Sequence, residues 1–176
     1  MTIKQLLVKI LRRPTTEDKA RQAGVIIGGG NKFYSEFWST EPYLITVGNH
    51  CQITAGVKFF THGGSHILRD EIPEFDTFGK ITVGDWVYIG NNTLVMPGVT
   101  IGNHVLIAAG SVVTKSIPSG VIVGGNPAKI ICSIDEYRSR NLQYNMNSKK
   151  LSAEEKRSML LSMGDDKFIK KNYLKQ

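Results

Sequence analysis

Two of the chain's four histidines, His62 and His66, lie in one short polar stretch, THGGSH (61–66). A neutral imidazole has a pKa near 6.5, so it can accept a proton from a reacting hydroxyl group at physiological pH. Gly63 and Gly64 stand between the histidines, and glycine allows the backbone to approach a ligand closely. This stretch is therefore the first candidate for a catalytic site, and both histidines are candidates for its general base.

Downstream of the histidines the sequence repeats every six residues. From Val83 to Pro118 it divides into VGDWVY, IGNNTL, VMPGVT, IGNHVL, IAAGSV and VTKSIP. The first position is a β-branched aliphatic residue in all six, the fifth is small or β-branched, and Gly and Asn mark the bends. A hexapeptide period is typical of a β-helix, in which short strands alternate with tight bends and inward side chains stack in columns.

The same period continues upstream and places the histidines in a loop. Val47 and Ile53 lead two further hexads, Phe59 leads a third, and VIIGGGNKFYSEF predicts a degenerate first coil. Phe59 and Val83 are 24 positions apart, so the repeat resumes in phase. The segment at about 63–79 must therefore leave the coil as a loop excursion, and loops held on a regular scaffold often carry chemistry.

The two ends of the chain differ from the repeat region in charge. Residues 1–22 carry six Lys or Arg against two Asp or Glu, residues 133–176 carry ten against six, and residues 23–132 carry six against seven. We expect an N-terminal helical segment at 1–22, a β-helix catalytic domain at 23–132 and a C-terminal helical segment at 133–176. Capping-box spacings predict C-terminal helices at about 134–146 and 153–163. An N-terminal apolar stripe is expected to pack against the protein or lie on a membrane surface.

Composition argues against several classes of protein. The nearly neutral repeat region has no basic stripe with stacking aromatic residues, so nucleic-acid binding is not expected. No apolar run approaches the roughly 18 residues of a spanning helix, so no transmembrane segment is expected. Cys51 and Cys132 are not closely spaced, which favours a reducing, cytoplasmic location without a disulfide framework.

The stretch VTIGNHVLIAAGSVVTKSIPSGVIVGGNPAKII (99–131), with the hexads and the His-bearing loop, resembles the hexapeptide-repeat acyltransferases. Within that family it is most similar to bacterial sugar and polysaccharide O-acetyltransferases, over roughly residues 24–132. The resemblance implies a left-handed parallel β-helix of triangular section, and a homotrimer with active sites between subunits. It also implies acetyl-CoA as co-substrate in the groove between two β-helices, and a sugar or surface-glycan hydroxyl as acceptor.

The resemblance also implies roles for particular residues. His62 lies near the loop histidine of simple sugar acetyltransferases, whereas His66 matches the offset of the base in xenobiotic acetyltransferases. Acidic residues of the loop are candidates for orienting the imidazole: Asp70, Glu71, Glu74 and Asp76. Backbone contacts near the pantetheine arm are expected at Ala109 and Gly110, and contacts at the nucleotide end from Thr114, Lys115 and Lys129.

Two other functions are compatible with a β-helix. A metal-dependent hydratase of the γ-carbonic-anhydrase type needs three histidines on a zinc-like ion, and His62 and His66 would supply two of them. Their spacing does not fit that family, so no metal site is predicted. The second alternative is a non-catalytic scaffold. His50 and His104, at bends, are expected at the surface or a trimer interface, and Trp86 either in the subunit groove or on the surface.

Overall fold

The structure is a computed structural model that describes residues 13–174 of the 176-residue chain. The chain divides into two compact units, Met1–Ile134 and Asp135–Gln176. The predicted apolar stripe of the N-terminal segment lies at residues 3–11, outside the described residues. No helix of residues 13–174 is long and apolar enough to cross a membrane.

Short strands of the first unit form three sheets. The chain visits the three sheets in turn, and neighbouring strands of each sheet are parallel apart from an antiparallel final pair. The first sheet contains β1 (Ile26–Ile27), β3 (Ile45–Val47), β6 (Ile81–Val83) and β9 (Thr100–Ile101). The second contains β2 (Lys32–Phe33), β4 (Gln52–Ile53), β7 (Tyr88–Ile89), β10 (Leu106–Ile107), β12 (Val121–Gly124) and β13 (Lys129–Ser133). The third contains β5 (Lys58–Phe59), β8 (Leu94–Val95) and β11 (Val112–Val113). This arrangement is the parallel β-helix that the hexads predict.

The repeat positions predicted to face inward do fill the core. The six first-position residues from Val83 to Val113 are each no more than 1% exposed, and the fifth-position residues are buried as well. The buried side chains form columns along the axis because the strands pair in register. Ile89, for example, is the direct partner of Ile53 on one side and of Ile107 on the other. Cys51 lies at a fifth position and is buried, as the period predicts.

One corner of the β-helix is held by side-chain hydrogen bonds between successive coils. The backbone N–H of Asn49 donates to Asp85 Oδ1 (2.7 Å), and the backbone N–H of Asp85 donates to Asn103 Oδ1 (2.8 Å). Two similar hydrogen bonds continue the series in the coils before and after. The Gly29 N–H donates to Asn49 Oδ1, and the Asn103 N–H donates to Ser119 Oγ. These bonds satisfy bend N–H groups that have no strand partner.

Three rings are stacked along the same corner. Trp86 lies 4.5 Å from His50 and 6.4 Å from His104 between ring centroids, with interplanar angles of 22° and 3°. All three residues have positive φ angles near 55°. The histidines are exposed, as predicted, and Trp86 is 57% exposed at the surface of this chain.

Close stacking of the coils explains a glycine at the second hexad position. A Cβ atom at Gly48 would lie 2.7 Å from the Gly84 carbonyl oxygen of the next coil and 2.3 Å from Asp85 Oδ1. Neither backbone can move without breaking the ladder of β3 and β6, so only glycine fits.

The loop excursion begins and ends at one corner between the third and first sheets. The Gly79 N–H donates to the Thr61 carbonyl oxygen (2.7 Å), and His62 pairs with Phe78 in an antiparallel bridge. A single 3-10 turn (Ser65–Leu68) lies between them. The two limbs of the excursion are therefore in contact where they join the coil.

Three α-helices lie in the described part of the chain. α1 (Thr16–Ala23) begins at a capping box of Thr15 and Asp18 and ends at Gly24. α2 (Ile134–Asn141) is shorter than predicted, because a 3-10 turn (Leu142–Tyr144) follows it. α3 (Ala153–Ser162) begins at the predicted capping box of Ser152 and Glu155.

Candidate active site

The loop excursion encloses a cavity of about 290 Å³ against the corner of the β-helix. The cavity contains both candidate bases together with acidic, basic and aromatic groups. Its lining residues are Glu41, His62, Gly63, Gly64, Ser65, His66, Arg69, Asp76 and Phe78. A proton acceptor, a carboxylate partner and space for a ligand therefore occur together in one place.

The His62 imidazole is paired with a carboxylate. Its Nδ1 atom lies 2.8 Å from Glu41 Oε2, and the Glu41 side chain is largely buried. An ionised carboxylate can only accept hydrogen bonds, so Nδ1 must carry the proton of this contact. The neutral imidazole is then left with Nε2 as its proton acceptor, which is the tautomer that a general base requires.

Glu41 is held in the ionised form by its neighbours. The Thr61 hydroxyl donates to Oε2 (2.6 Å) and the Thr40 hydroxyl donates to Oε1 (2.7 Å). These two hydrogen bonds, followed by the contact with His62, lower the pKa of Glu41 to about 2. The Ser39 hydroxyl lies 2.8 Å from Thr61 Oγ1 and extends the network. Glu41 therefore remains a hydrogen-bond acceptor for His62 over the whole neutral range.

None of the four acidic residues that were candidates for orienting the base contacts the His62 imidazole. The acidic group beside His62 is Glu41, which lies 21 residues earlier in the sequence. Asp76 instead contacts Ser65 and Arg69 within the loop, and the other three candidates are exposed on it: Asp70, Glu71 and Glu74. The cause is the stacking of coils, because residues 39–41 and 61–62 occupy the same corner of consecutive coils.

His66 lines the same cavity but has a different environment. It lies in the 3-10 turn of the excursion and is exposed. No hydrogen bond to its ring is formed within residues 13–174, whereas its carbonyl oxygen accepts from the Arg69 N–H (3.2 Å). The geometry thus separates the two histidines, since only His62 has a partner that fixes its tautomer.

Gly64, in the wall of the cavity, has a backbone conformation that favours glycine. Gly64 has a φ of 78°, and a Cβ atom there would meet nothing within 4 Å. A left-handed conformation at this point starts the 3-10 turn without placing a side chain in the cavity.

The residues predicted to contact the cofactor lie in the last coil and the hairpin that follows it. Ala109 and Gly110 are exposed at a bend, and Thr114 and Lys115 are exposed after β11. Lys129 opens β13, next to Ala128, whose N–H donates to the Val112 carbonyl oxygen (2.9 Å). β11 is two strands away from β5, which precedes His62, so Thr114 and Lys115 lie about 10 Å along the axis from the start of the excursion.

Residues 13–174 contain no group of three or more His, Cys, Asp or Glu side chains that could hold a metal ion. Both cysteines are free, and burial raises the pKa of the Cys51 thiol.

Acid titration should reveal the Glu41 contacts. The pKa of Glu41 is about 2 in the folded chain and near its ordinary value of 4.5 when unfolded. Its contribution to stability is therefore complete above about pH 5 and is lost as the pH falls toward 2. We expect Glu41→Gln to be less stable than the parent at pH 6, with the difference constant down to about pH 5 and shrinking from there to pH 3. Urea unfolding at a series of pH values measures this, and a difference that stays constant down to pH 3 would contradict it.

Comparison with known proteins identifies relatives over nearly the whole chain. A sequence profile described as bacterial transferase hexapeptide (six repeats) matches residues 80–115. Protein CapG of Staphylococcus aureus is 48% identical over 164 residues, which cover 91% of this chain and 95% of CapG. The galactoside O-acetyltransferase of Escherichia coli K12 is 38% identical over 111 residues, which cover 61% of this chain and 54% of that enzyme. A crystal structure of a hexapeptide-repeat acetyltransferase from Vibrio cholerae superimposes with a TM-score of 0.58 at 25% identity, covering 74% of this chain and 88% of that one.

Proposed function

Because this chain belongs to the hexapeptide-repeat acyltransferases, with acetyl-CoA as its co-substrate, we propose that it acetylates a hydroxyl group of a sugar or surface glycan. The fold is the left-handed parallel β-helix of that family. The relatives support the acyl transfer, and the galactoside enzyme supports a sugar as acceptor. The observation that carries the proposal is the Glu41–His62 pair, placed in an open cavity of the excursion.

In the proposed mechanism His62 is the general base. Its Nε2 atom accepts the proton of the acceptor hydroxyl as that oxygen attacks the thioester carbonyl of acetyl-CoA. The imidazolium that forms is stabilised by Glu41, which is already ionised and hydrogen-bonded to Nδ1. The carbon–sulfur bond then breaks, an ester bond remains on the acceptor, and His62 returns the proton to the leaving thiolate. A base of this kind contributes about 10²–10⁴-fold to the rate.

The donor site is proposed in the groove beside the last coil. The exposed backbone of Ala109 and the carbonyl oxygen of Gly110 offer hydrogen-bond groups to the pantetheine arm, since the Gly110 N–H already donates to the Asn91 carbonyl oxygen (2.8 Å). Lys115 and Lys129 offer positive charge to the phosphates. Thr114 contributes a hydroxyl at the same end. We propose that a second copy of the chain supplies the other wall of this groove in a homotrimer. Acetyl-CoA and free thiols both suit the cytoplasm, which is the proposed location.

The acceptor side of the cavity has features that suit a sugar. Phe78 presents an exposed aromatic face, and Asp76 and His66 present polar groups around it. An apolar ring face stacks on a pyranose, while carboxylate and imidazole groups bind its hydroxyls. His66 is therefore proposed as an acceptor-binding group rather than as the base.

A direct assay tests the proposed function. Purified protein is incubated with acetyl-CoA and a panel of sugars, and thiol release is followed together with the mass of each sugar. We expect acceptor-dependent thiol release and a product heavier by one acetyl group on oxygen. Thiol release that is independent of every acceptor, or stoichiometric zinc in the protein, would contradict the proposal and favour the alternatives. Sedimentation tests the trimer separately.

A further inference from the structure

The two limbs of the loop excursion are joined by a cluster of polar contacts around one buried serine. Ser65 is only 5% exposed although it lies in a surface loop. Its hydroxyl donates to Asp76 Oδ1 (3.2 Å) and accepts from the Thr77 N–H (3.1 Å), and Thr77 Oγ1 lies 3.3 Å away. The outgoing limb is therefore attached to the returning limb just before Phe78.

Arg69 adds a second attachment between the same limbs. Its Nε atom donates to the Phe75 carbonyl oxygen (3.1 Å), and its guanidinium lies 3.7 Å from Asp76. Both side chains of the Arg69–Asp76 pair are nearly half-exposed, whereas the Ser65 side chain is buried and its hydrogen bonds are partly buried. Because an unmade buried hydrogen bond costs more than an exposed one, Ser65 is the more important of the two.

The position of Phe78 follows from these contacts. Phe78 comes directly after Thr77, pairs with His62 in the antiparallel bridge, and places its ring 5.7 Å from the imidazole. Glu41 contacts the imidazole at Nδ1, and the Phe78 ring contacts it from the returning limb. A shift of the returning limb by one residue would remove Phe78 from the bridge and leave the imidazole held only at Nδ1.

We propose that Ser65 is a positioning residue for the base: it fixes the returning limb in the register that packs Phe78 against His62. This inference rests on the proposed function, since it concerns the same imidazole. The Glu41 contact sets the tautomer of His62, and the Ser65 contacts set the direction of its ring. A misplacement of about 1 Å in such a group can reduce the rate as much as 10²-fold.

Three variants test the role of Ser65. Ser65→Ala removes the hydroxyl, Ser65→Thr retains it, and Ser35→Ala is the matched control. Ser35 is a serine of the scaffold that is equally buried and whose hydroxyl donates to the Val57 carbonyl oxygen outside the excursion. We expect Ser65→Ala to lower kcat about tenfold with the KM for acetyl-CoA within about twofold of the parent. Ser65→Thr should recover most of the loss, and Ser35→Ala should lower only the melting temperature.

An NMR measurement reads the position of His62 without any turnover. The carbon-bound protons of the His62 ring should carry a ring-current shift from Phe78, which Phe78→Leu identifies. Ser65→Ala should lose most of that shift, whereas Ser35→Ala should keep it. If Ser65→Ala retains both the shift and kcat, the inference is wrong even when the parent is an active acetyltransferase. If the parent transfers no acetyl group, the proposed function fails, while the NMR result still decides the role of Ser65.

Discussion

His62→Ala should lower kcat for acetyl transfer by about 10²–10⁴-fold, because it removes the proposed general base. The KM for acetyl-CoA should change little, since the proposed donor contacts lie in the last coil. Acetyl transfer to an acceptor identified in the sugar panel measures both constants. His62→Asn is a useful second variant, because an amide of similar size can still donate to Glu41 but cannot accept a proton at neutral pH.

His66→Ala is the matched comparison within the same cavity. Because the imidazole of His66 has no orienting partner within the described chain, its loss should raise the acceptor KM and reduce kcat by less than about tenfold. If His66→Ala lowers kcat more than His62→Ala does, His66 would be the general base instead. If neither substitution lowers transfer tenfold, a histidine base in this loop is excluded.

The pH dependence of kcat/KM gives an independent check on the same assignment. A base that must be neutral produces a loss of activity as the pH falls through its pKa. The kcat/KM of the parent should therefore fall at acidic pH. The residual kcat/KM of His62→Ala should not show this fall.

The repeat pattern was enough to predict the β-helix and its core. A strand exposes alternate faces, so a β-branched residue at every sixth position can only be explained by short strands separated by bends. The inward residues from Val83 to Val113 are buried for that reason. The spacing of Phe59 and Val83 also predicted where the chain leaves the coil, and the cavity lies at that point.

The sequence did not predict Glu41 as the partner of His62, because all four candidates for an orienting acid lay in the loop excursion. Contacts in a β-helix are set by the coil, so a residue at a corner meets the residue at the same corner of the next coil. Phe37 bridges Lys58 across that stack, which brings Ser39 and Glu41 beside Thr61 and His62. Glu41 lies 21 residues before His62, whereas a regular coil of three hexads has 18. The period therefore indicates the segment that faces His62 but does not identify Glu41 within it.

The ring stack at the other corner illustrates the same rule. Trp86 and His104 are 18 residues apart, which is one coil of three hexads. His50 and Trp86 are 36 residues apart because one coil and the loop excursion separate them, and their strands β4 and β7 are direct neighbours, so all three residues lie in one column. Their side chains could be placed from the sequence, but their stacking could not. It depends on the positive φ that each bend imposes, which aims all three rings in the same direction.

Ile89→Ala should produce a large loss of stability, about 2–5 kcal/mol of unfolding free energy, because it removes a fully buried side chain from an inward column. Ile89 is fully buried, and its strand pairs with neighbours on both sides through Ile53 and Ile107. The removed methyl and methylene groups would leave a cavity that stiff stacked coils cannot close. Urea unfolding followed by circular dichroism measures the change.

Position along the axis should decide how much such a substitution costs. In a solenoid each coil is stabilised by the coils that it touches, so a coil with two neighbours loses more than a terminal one. Ile27→Ala removes the same atoms from β1, which among residues 13–174 pairs with β3 alone, and it should cost distinctly less. Tyr88→Ala, on the outward face of the same strand as Ile89, controls for strand propensity. An Ile27→Ala loss equal to that of Ile89→Ala would mean that the coils do not stabilise one another as nearest neighbours, and the stack would then behave as one cooperative core.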